Sequence, residues 1–170
     1  MKKVIFPGSF DPFHNGHLDI IIEARKNFDE VLVVVGNNPN KKNYWFNEEE
    51  RKKLIEKCVN KIGGVKVIIG KENQIEDICN IYNIYNVYRG VKSNRTLEEE
   101  IRLKQLTNYL SKLKYNKSIN FIYTISSNDD FRGSSIIKKY ANKKEIIENL
   151  IPNEIMDDIQ NKYKEIQNEK

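Results

Sequence analysis

The two histidines of this 170-residue chain, His14 and His17, stand three residues apart in the polar knot "PGSFDPFHNGH", between a short apolar run and a segment with helical spacing. Such a pair could hold a metal, move a proton or hold a phosphate. Two histidines with no third and no nearby cysteine make a poor zinc set. His17 falls in the first turn of the helix that follows, where a charged imidazole opposes the helix dipole unless a bound anion reverses the balance. There it can donate a hydrogen bond to a phosphoryl oxygen, and His14 points to the same cleft or serves as a turn residue. Further on come Lys41 and Lys42 after Pro39 in "NNPNKK", a solvated pair or a phosphate ligand. Arg89 in "YNVYRG" is costly in so apolar a setting without a fixed anion. Ser134 and Ser135 open a helix, as caps or as ligands.

The elements that must position these residues are legible from periodicity. Apolar runs without alternation, at Lys3–Phe6, "EVLVVVG", "VKVIIG", "VYRG" and "SINFIYTI", read as buried parallel strands. Between them lie helical patterns. His17–Phe28 carries Leu18, Ile21 and Ile22 near one face. Asn47 with Glu50 forms a capping box ahead of a stripe of Leu54, Ile55, Cys58, Val59 and Ile62, and the helix closes at "GG". Residues 73–83 form a short helix. Thr96 with Glu99 forms a second capping box, before a helix carrying Leu103, Leu106, Leu110 and Leu113. "GSSIIKKYA" opens another helix, and Pro152 starts a last one with Ile155, Ile159, Tyr163 and Ile166 on one stripe. Trp45 and Phe46 pack the start of the second helix or a subunit contact rather than stacking on a base.

Strands and helices alternate, with connections long enough for crossovers. The expected architecture is α/β, a doubly wound five-stranded parallel sheet with helices on both sides, in one domain over residues 1–160 with a helical tail over 161–170. Ligands of such sheets lie beyond the carboxyl ends of the strands. Each of those ends here is rich in Gly, Ser, Asn, Lys or Arg, which suits phosphorylated ligands. The patterns GxxxxGK[ST] and GxGxxG are both absent, so the knot holds its anion in another way.

Composition narrows the class further. The formal charge of +5 comes from scattered lysines, many alternating with Glu or Asn, and suits small anionic substrates as well as nucleic acid. No apolar run is long enough to span a bilayer, no secretory leader is visible, and Cys58 and Cys79 read as buried hydrophobes of a reducing compartment. A cytoplasmic enzyme with no membrane or nucleic-acid partner is the expectation. The alternative from another class is a nucleotide- or nucleic-acid-binding protein without catalysis.

Taken together, "FPGSFDPFHNGHLDII", "NNPNKK", "YRGVK" and "GSSIIK" resemble bacterial-type phosphopantetheine adenylyltransferases, within the nucleotidylyltransferase superfamily marked by HxGH or TxGH after the first strand. The resemblance covers residues 1 to about 160. It implies a Rossmann-like nucleotidylyltransferase fold, a homohexamer, and adenylyl transfer from ATP with Mg²⁺ to 4′-phosphopantetheine, giving dephospho-coenzyme A and diphosphate. It implies His17, Lys41 and Ser9 as the catalytic set. Ser9, Lys41, Ile75 and Arg89 would contact the acceptor. Ser9, Phe10, His17, Gly90, Val91, Lys92, Glu100 and the run Asp129, Asp130, Phe131, Arg132, Gly133, Ser134 and Ser135 would contact ATP. The chain departs from that family's pattern in three places. His14 replaces a threonine or serine, and the HxGH form it creates is commoner in relatives that adenylylate nicotinate mononucleotide or transfer cytidylyl groups. Lys92 replaces an arginine, keeping charge but losing the planar fork. The "TISSNDDFRGSSIIKK" stretch is about one residue longer than usual, and Arg132 in it could compensate for Lys92.

Overall fold

A computed structural model describes residues 1–38, 41–71, 74–91, 94–125 and 133–168. Five strands, β1 (Lys3–Gly8), β2 (Glu30–Val35), β3 (Val65–Ile69), β4 (Asn86–Val91) and β5 (Asn120–Ile125), form one sheet in the order β3-β2-β1-β4-β5, every pairing parallel. The helices are α1 (Asn15–Asn27), α2 (Glu48–Val59), α3 (Ile75–Tyr82), α4 (Asn94–Tyr115), α5 (Ser134–Tyr140), α6 (Lys144–Ile147) and α7 (Met156–Asn168), with a 3₁₀ turn at Asn153–Ile155. This is the expected doubly wound α/β fold.

Alternate strand residues feed two cores. Val4 and Phe6 of β1 and Val31, Val33 and Val35 of β2 pack with α1, α2 and α5–α7. Ile5, Leu32, Val34 and Val87 pack with Ile78 and Cys79 of α3 on the opposite face. The central strands bury both faces, so they read as continuous apolar runs. Each fully buried aliphatic or aromatic side chain contributes about 1.5–3 kcal/mol.

β1 runs two residues past its expected end and includes Pro7, although it is the central strand. Pro7 and Gly8 pair with Val34 and Val35 of β2, whereas the pairing of β1 with β4 is confined to Ile5↔Val87. The Pro7 carbonyl faces β4 and accepts from Arg89 Nη1 at 2.7 Å. In a parallel strand a residue's N and O face the same neighbour, so the donor that proline lacks falls where the two strands diverge. Chain direction across the sheet also reverses here, since β2 and β3 lie on one side of β1 and β4 and β5 on the other. The gap between β1 and β4 is therefore the topological switch point.

The Asn47–Glu50 capping box forms, with Glu50 N–H donating to Asn47 Oδ1 at 2.9 Å and Asn47 N–H to Glu50 Oε2 at 2.7 Å. The second expected helix start is displaced: α4 begins at Asn94, so Thr96 lies inside the helix rather than at its N-cap. The leucine stripe of α4 is also turned. Leu106 and Leu113 are exposed, and Thr107 and Ser111 are buried in their place. On a 22-residue helix with leucines on more than one side, spacing alone left the inward face undecided. α6 was not expected. α7 runs unbroken across residue 160, and Tyr163 packs on Trp45 with ring centroids 6.1 Å apart.

Candidate active site

The knot between β1 and α1 builds the floor of a cavity of about 170 Å³ at the switch point, lined by Gly8, Phe10, His14, His17, Arg89 and Gly90 among others. Phe10 adopts φ 50°, a left-handed conformation that a bulky residue holds only when its surroundings over-determine it. They do so here. The ring is 1% exposed, set edge-on to Phe6 at 5.3 Å and to His17 at 4.9 Å. It lies on the backbone of Gly8, where a Cβ would come within 2.7 Å of the ring. Gly90 is similarly constrained, since a Cβ there would meet Ile20 at 2.5 Å.

His14 is the N-cap residue of α1 and His17 its third helical residue, so the first-turn placement expected of His17 holds. The two imidazoles stack, with centroids 3.6 Å apart and planes at 23°, and Phe13 stacks on the far side of His17 at 5.5 Å. His14 is 2% exposed. Both rings therefore belong to one aromatic box under the cavity.

Arg89 comes up from β4 on the other wall. Its guanidinium holds Pro7 O through Nη1 and Glu100 through Nε, at 2.7 Å each, and closes a second bond to Glu100 through Nη2. This forked pairing is the geometry that suits carboxylate or phosphate. Glu100, on α4, is thus brought to the site by Arg89. Tyr123 donates to the Glu100 carbonyl at 3.2 Å, and burial, followed by the Glu100 charge, raises its phenol pKa.

Of the two lysines after β2, Lys41 is half-buried and Lys42 exposed. Lys41 Nζ donates to the Asp11 carbonyl at 3.2 Å and lies 3.5 Å from Asp11 Oδ2. Burial lowers the Lys41 pKa. Asp11 opposes that effect, while Lys138 and Arg51 add to it. Asp11 itself is fully buried. Its carboxylate accepts the backbone N–H groups of Trp45 and Phe46 at 3.0–3.2 Å and is capped by Lys138 Nζ from α5.

Ser9 stands in the knot between the cavity-lining Gly8 and Phe10. Its carbonyl is gripped by Arg51 Nη1 at 2.7 Å, and the same nitrogen donates to Gly36 O at 2.8 Å. Arg51 Nη2 adds Asn37 Oδ1 at 2.7 Å, so one buried guanidinium ties the knot to the chain leaving β2. Burial depresses its pKa. Val91 is buried at the end of β4, and Ile75 packs against the second core. Ser134 donates to Pro12 O at 3.0 Å, which fastens α5 to the knot, while Ser135 is exposed and Gly133 is the N-cap residue of α5. Lys92, Asp129, Asp130, Phe131 and Arg132 lie outside the described residues.

The structure therefore joins His17, Phe10, Arg89 and Gly90 around one cavity, pairs Glu100 with Arg89 at its wall, and ties Lys41 to the knot through Asp11. Three residues of this arrangement were missed in the sequence: Asp11, Arg51 and Lys138. Arg51 had a signal, since it stands three, four and seven residues before Leu54, Ile55 and Cys58 and so lies on the core stripe of α2. Asp11 before a proline and Lys138 among several lysines carry no comparable signal. Among the described residues no group of three or more His, Cys, Asp or Glu side chains could hold a metal ion.

A cavity of aromatic and cationic side chains at the switch point of a parallel sheet suits a nucleotide phosphate and a second phosphorylated ligand. Comparison with known proteins narrows this. The model of the cytidylyltransferase-like family matches residues 5–166. The chain belongs to that family. Two curated relatives, both phosphopantetheine adenylyltransferases, span almost its whole length. That of Clostridium novyi is 37% identical over 95% of this chain and 97% of its own. That of Clostridium kluyveri is 36% identical, covering 96% of each. A solved structure described as a candidate nicotinate-nucleotide adenylyltransferase, from Vibrio parahaemolyticus, aligns over 94% of this chain and 99% of its own with a TM-score of 0.64. At 16% identity that likeness speaks for the fold alone.

Proposed function

We propose that this family member transfers the adenylyl group of ATP to 4′-phosphopantetheine, releasing diphosphate and forming dephospho-coenzyme A. The observation that carries the reading is that Arg89 lines the His17 cavity while Lys41 is tied to Asp11 of the same knot, two cations for an acceptor phosphate and an α-phosphate. The relatives' activity supports the choice of acceptor.

A phosphate monoester with its second pKa near 6 is already a nucleophile at neutral pH. One of its oxygens attacks the α-phosphorus, the bond from that phosphorus to the bridging oxygen breaks, and diphosphate leaves with the electron pair. No covalent enzyme intermediate forms, so the protein's task is positioning and charge stabilisation. Lys41 and Ser9 orient the attacking phosphate, Arg89 anchors the acceptor with Ile75 on its apolar arm, and His17 donates to the α-phosphoryl oxygens. Phe10, Gly90, Val91, Glu100, Ser134 and Ser135 are assigned to the nucleotide, and Lys92 and residues 129–133 to contacts with its phosphates. Mg²⁺ would come with ATP and would neutralise charge on its phosphates. The carboxylates nearest the cavity are already engaged, Asp11 by lysines and Glu100 by Arg89.

We also propose that the enzyme is cytoplasmic and works as a homohexamer. The exposed Leu106, Tyr109 and Leu113 of α4 support assembly. No helix among the described residues is long and apolar enough to cross a membrane.

The test is a panel of acceptors presented with MgATP, followed by diphosphate release. Turnover with 4′-phosphopantetheine well above that with nicotinate mononucleotide or a phosphorylated alcohol is expected. Preferential turnover of nicotinate mononucleotide would move the chain to the other acceptor class, to which His14 points. Tight, salt-steep binding of nucleic acid without diphosphate release would remove the catalytic reading.

A further inference from the structure

Two ammonium groups share one buried carboxylate of the knot, that of Asp11, next in sequence to the cavity-lining Phe10. Lys41 Nζ lies 3.5 Å from Asp11 Oδ2, and Lys138 Nζ bonds the same oxygen while also donating to Asn43 O at 2.9 Å. The second carboxylate oxygen is occupied by the N–H groups of Trp45 and Phe46 at 3.1 and 3.0 Å. Lys138 is further fixed over the Trp45 ring, 5.5 Å from its centroid. The cluster therefore carries one cation more than its single anion neutralises. Of the two lysines, Lys138 is the more deeply held, its side chain 17% exposed against 28% for Lys41.

We propose that Asp11 is a positioning residue that parks the Lys41 ammonium on the knot, and that Lys138 holds Asp11 so that Lys41 can leave it for the acceptor phosphate. The inference rests on Lys41 being an acceptor ligand. A buried carboxylate deprived of its only cation is strongly unfavourable. Asp11 is never in that position, because when Lys41 swings out it keeps Lys138 and two backbone donors. Lys41 in turn exchanges a shared monoanion for a phosphate dianion, and the surplus positive charge of the cluster is what that dianion meets.

The groups facing Lys41 are Asp11 from the knot, Lys138 from α5, Arg51 from α2 and the Tyr44 ring, 5.1 Å from Nζ. Lys41 holds phosphate as an ammonium, so kcat/KM for the acceptor falls as pH rises through the pKa it has before the acceptor binds. Asp11 raises that pKa and Lys138 lowers it. The two neighbours must therefore move the alkaline limb in opposite directions.

The experiment measures kcat/KM for 4′-phosphopantetheine against pH, at constant ionic strength and saturating MgATP, in the full-length enzyme and in four variants. Lys41→Ala is expected to raise the acceptor KM and abolish the limb; an unchanged KM would remove Lys41 as a ligand and the inference with it. Asp11→Asn, which keeps an acceptor for the Trp45 and Phe46 N–H groups, is expected to shift the limb to lower pH. Lys138→Met is expected to shift it to higher pH and to raise the acceptor KM at neutral pH, since Lys41 is then the one lysine left on Asp11 and is held there more tightly. Should Asp11→Asn fail to fold, the Lys138→Met shift decides by itself. Tyr44→Phe is expected to keep the limb, and its loss there would assign the limb to the phenol and overturn the proposal. If Lys41→Ala raises KM while Asp11→Asn and Lys138→Met keep the original limb or move it the same way, Lys41 is a ligand but the shared carboxylate does not position it.

Discussion

His17 works in an aromatic setting, with His14 stacked on one side, Phe13 on the other and Phe10 edge-on. Such a box fixes the ring and excludes water, so a hydrogen bond from it to developing phosphoryl charge is pre-organised. His17→Ala is expected to lower kcat about 10²-fold or more, with a smaller change in KM, in steady-state assays against both substrates. A variant that kept near-full turnover would take His17 out of the reaction. The sequence disclosed this residue because its type is rare and its spacing fixed. It disclosed Arg89 because an arginine in an apolar strand demands a partner. Asp11 and Lys138 were hidden for the opposite reason: an aspartate before proline and a lysine in a short helix are the commonest of surface residues. Only the fold shows that two residues 127 positions apart close to one bond.

At the level of elements, α3 must be held if Ile75 is to face an acceptor, and the hold is electrostatic. Lys114 of α4 bridges Glu76 at 2.9 Å and Asp77 at 3.0 Å, and the Tyr115 hydroxyl donates to Asp77 at 2.7 Å. Burial pushes the Asp77 pKa up, but Tyr115, Lys114 and the Gln74 N–H outweigh it, so the carboxyl lies below its ordinary value of 3.8. A depressed carboxylate stabilises the fold above its unfolded pKa, and the gain is lost as pH falls through the folded value. The stability difference between wild type and Asp77→Asn, followed by urea unfolding, should therefore be greatest at neutral pH and shrink in the window below pH 3.8. A difference constant from pH 7 to below pH 3 would mean that hydrogen bonding rather than charge holds α3. None of this was legible beforehand, because the pair joins residues 37 and 38 positions apart. The caps show the same limit from the other side. Asn47 and Glu50 are local and were read correctly, whereas the start of α4 is set by how that helix meets the sheet, and Thr96 misled.

Across the whole molecule, the strand order and the two cores follow from apolar runs too continuous to belong to half-exposed strands, which made the sheet and its ligand edge legible. The outer surface was not legible in the same way. α4 turns Thr107 and Ser111 inward, 3% and 0% exposed, and presents Leu106, Tyr109 and Leu113 outward at 57%, 66% and 71%. Spacings of three and four residues put these side chains on one stripe of the helix. A helix that hides hydroxyls and shows leucines has an outer face suited to a protein neighbour, and the proposed homohexamer supplies one. The double variant Leu106→Glu, Leu113→Glu places two like charges on that stripe without touching the buried face. In sedimentation velocity the wild type is expected at about six times the 20.1 kDa monomer, and the variant at a smaller assembly with unchanged far-ultraviolet dichroism. The fold of the protomer does not depend on this stripe, so its thermal unfolding in dilute solution should shift only through the lost association. A wild type that sediments as a monomer would remove the hexamer, and a variant that keeps the wild-type size would move the contact to another face.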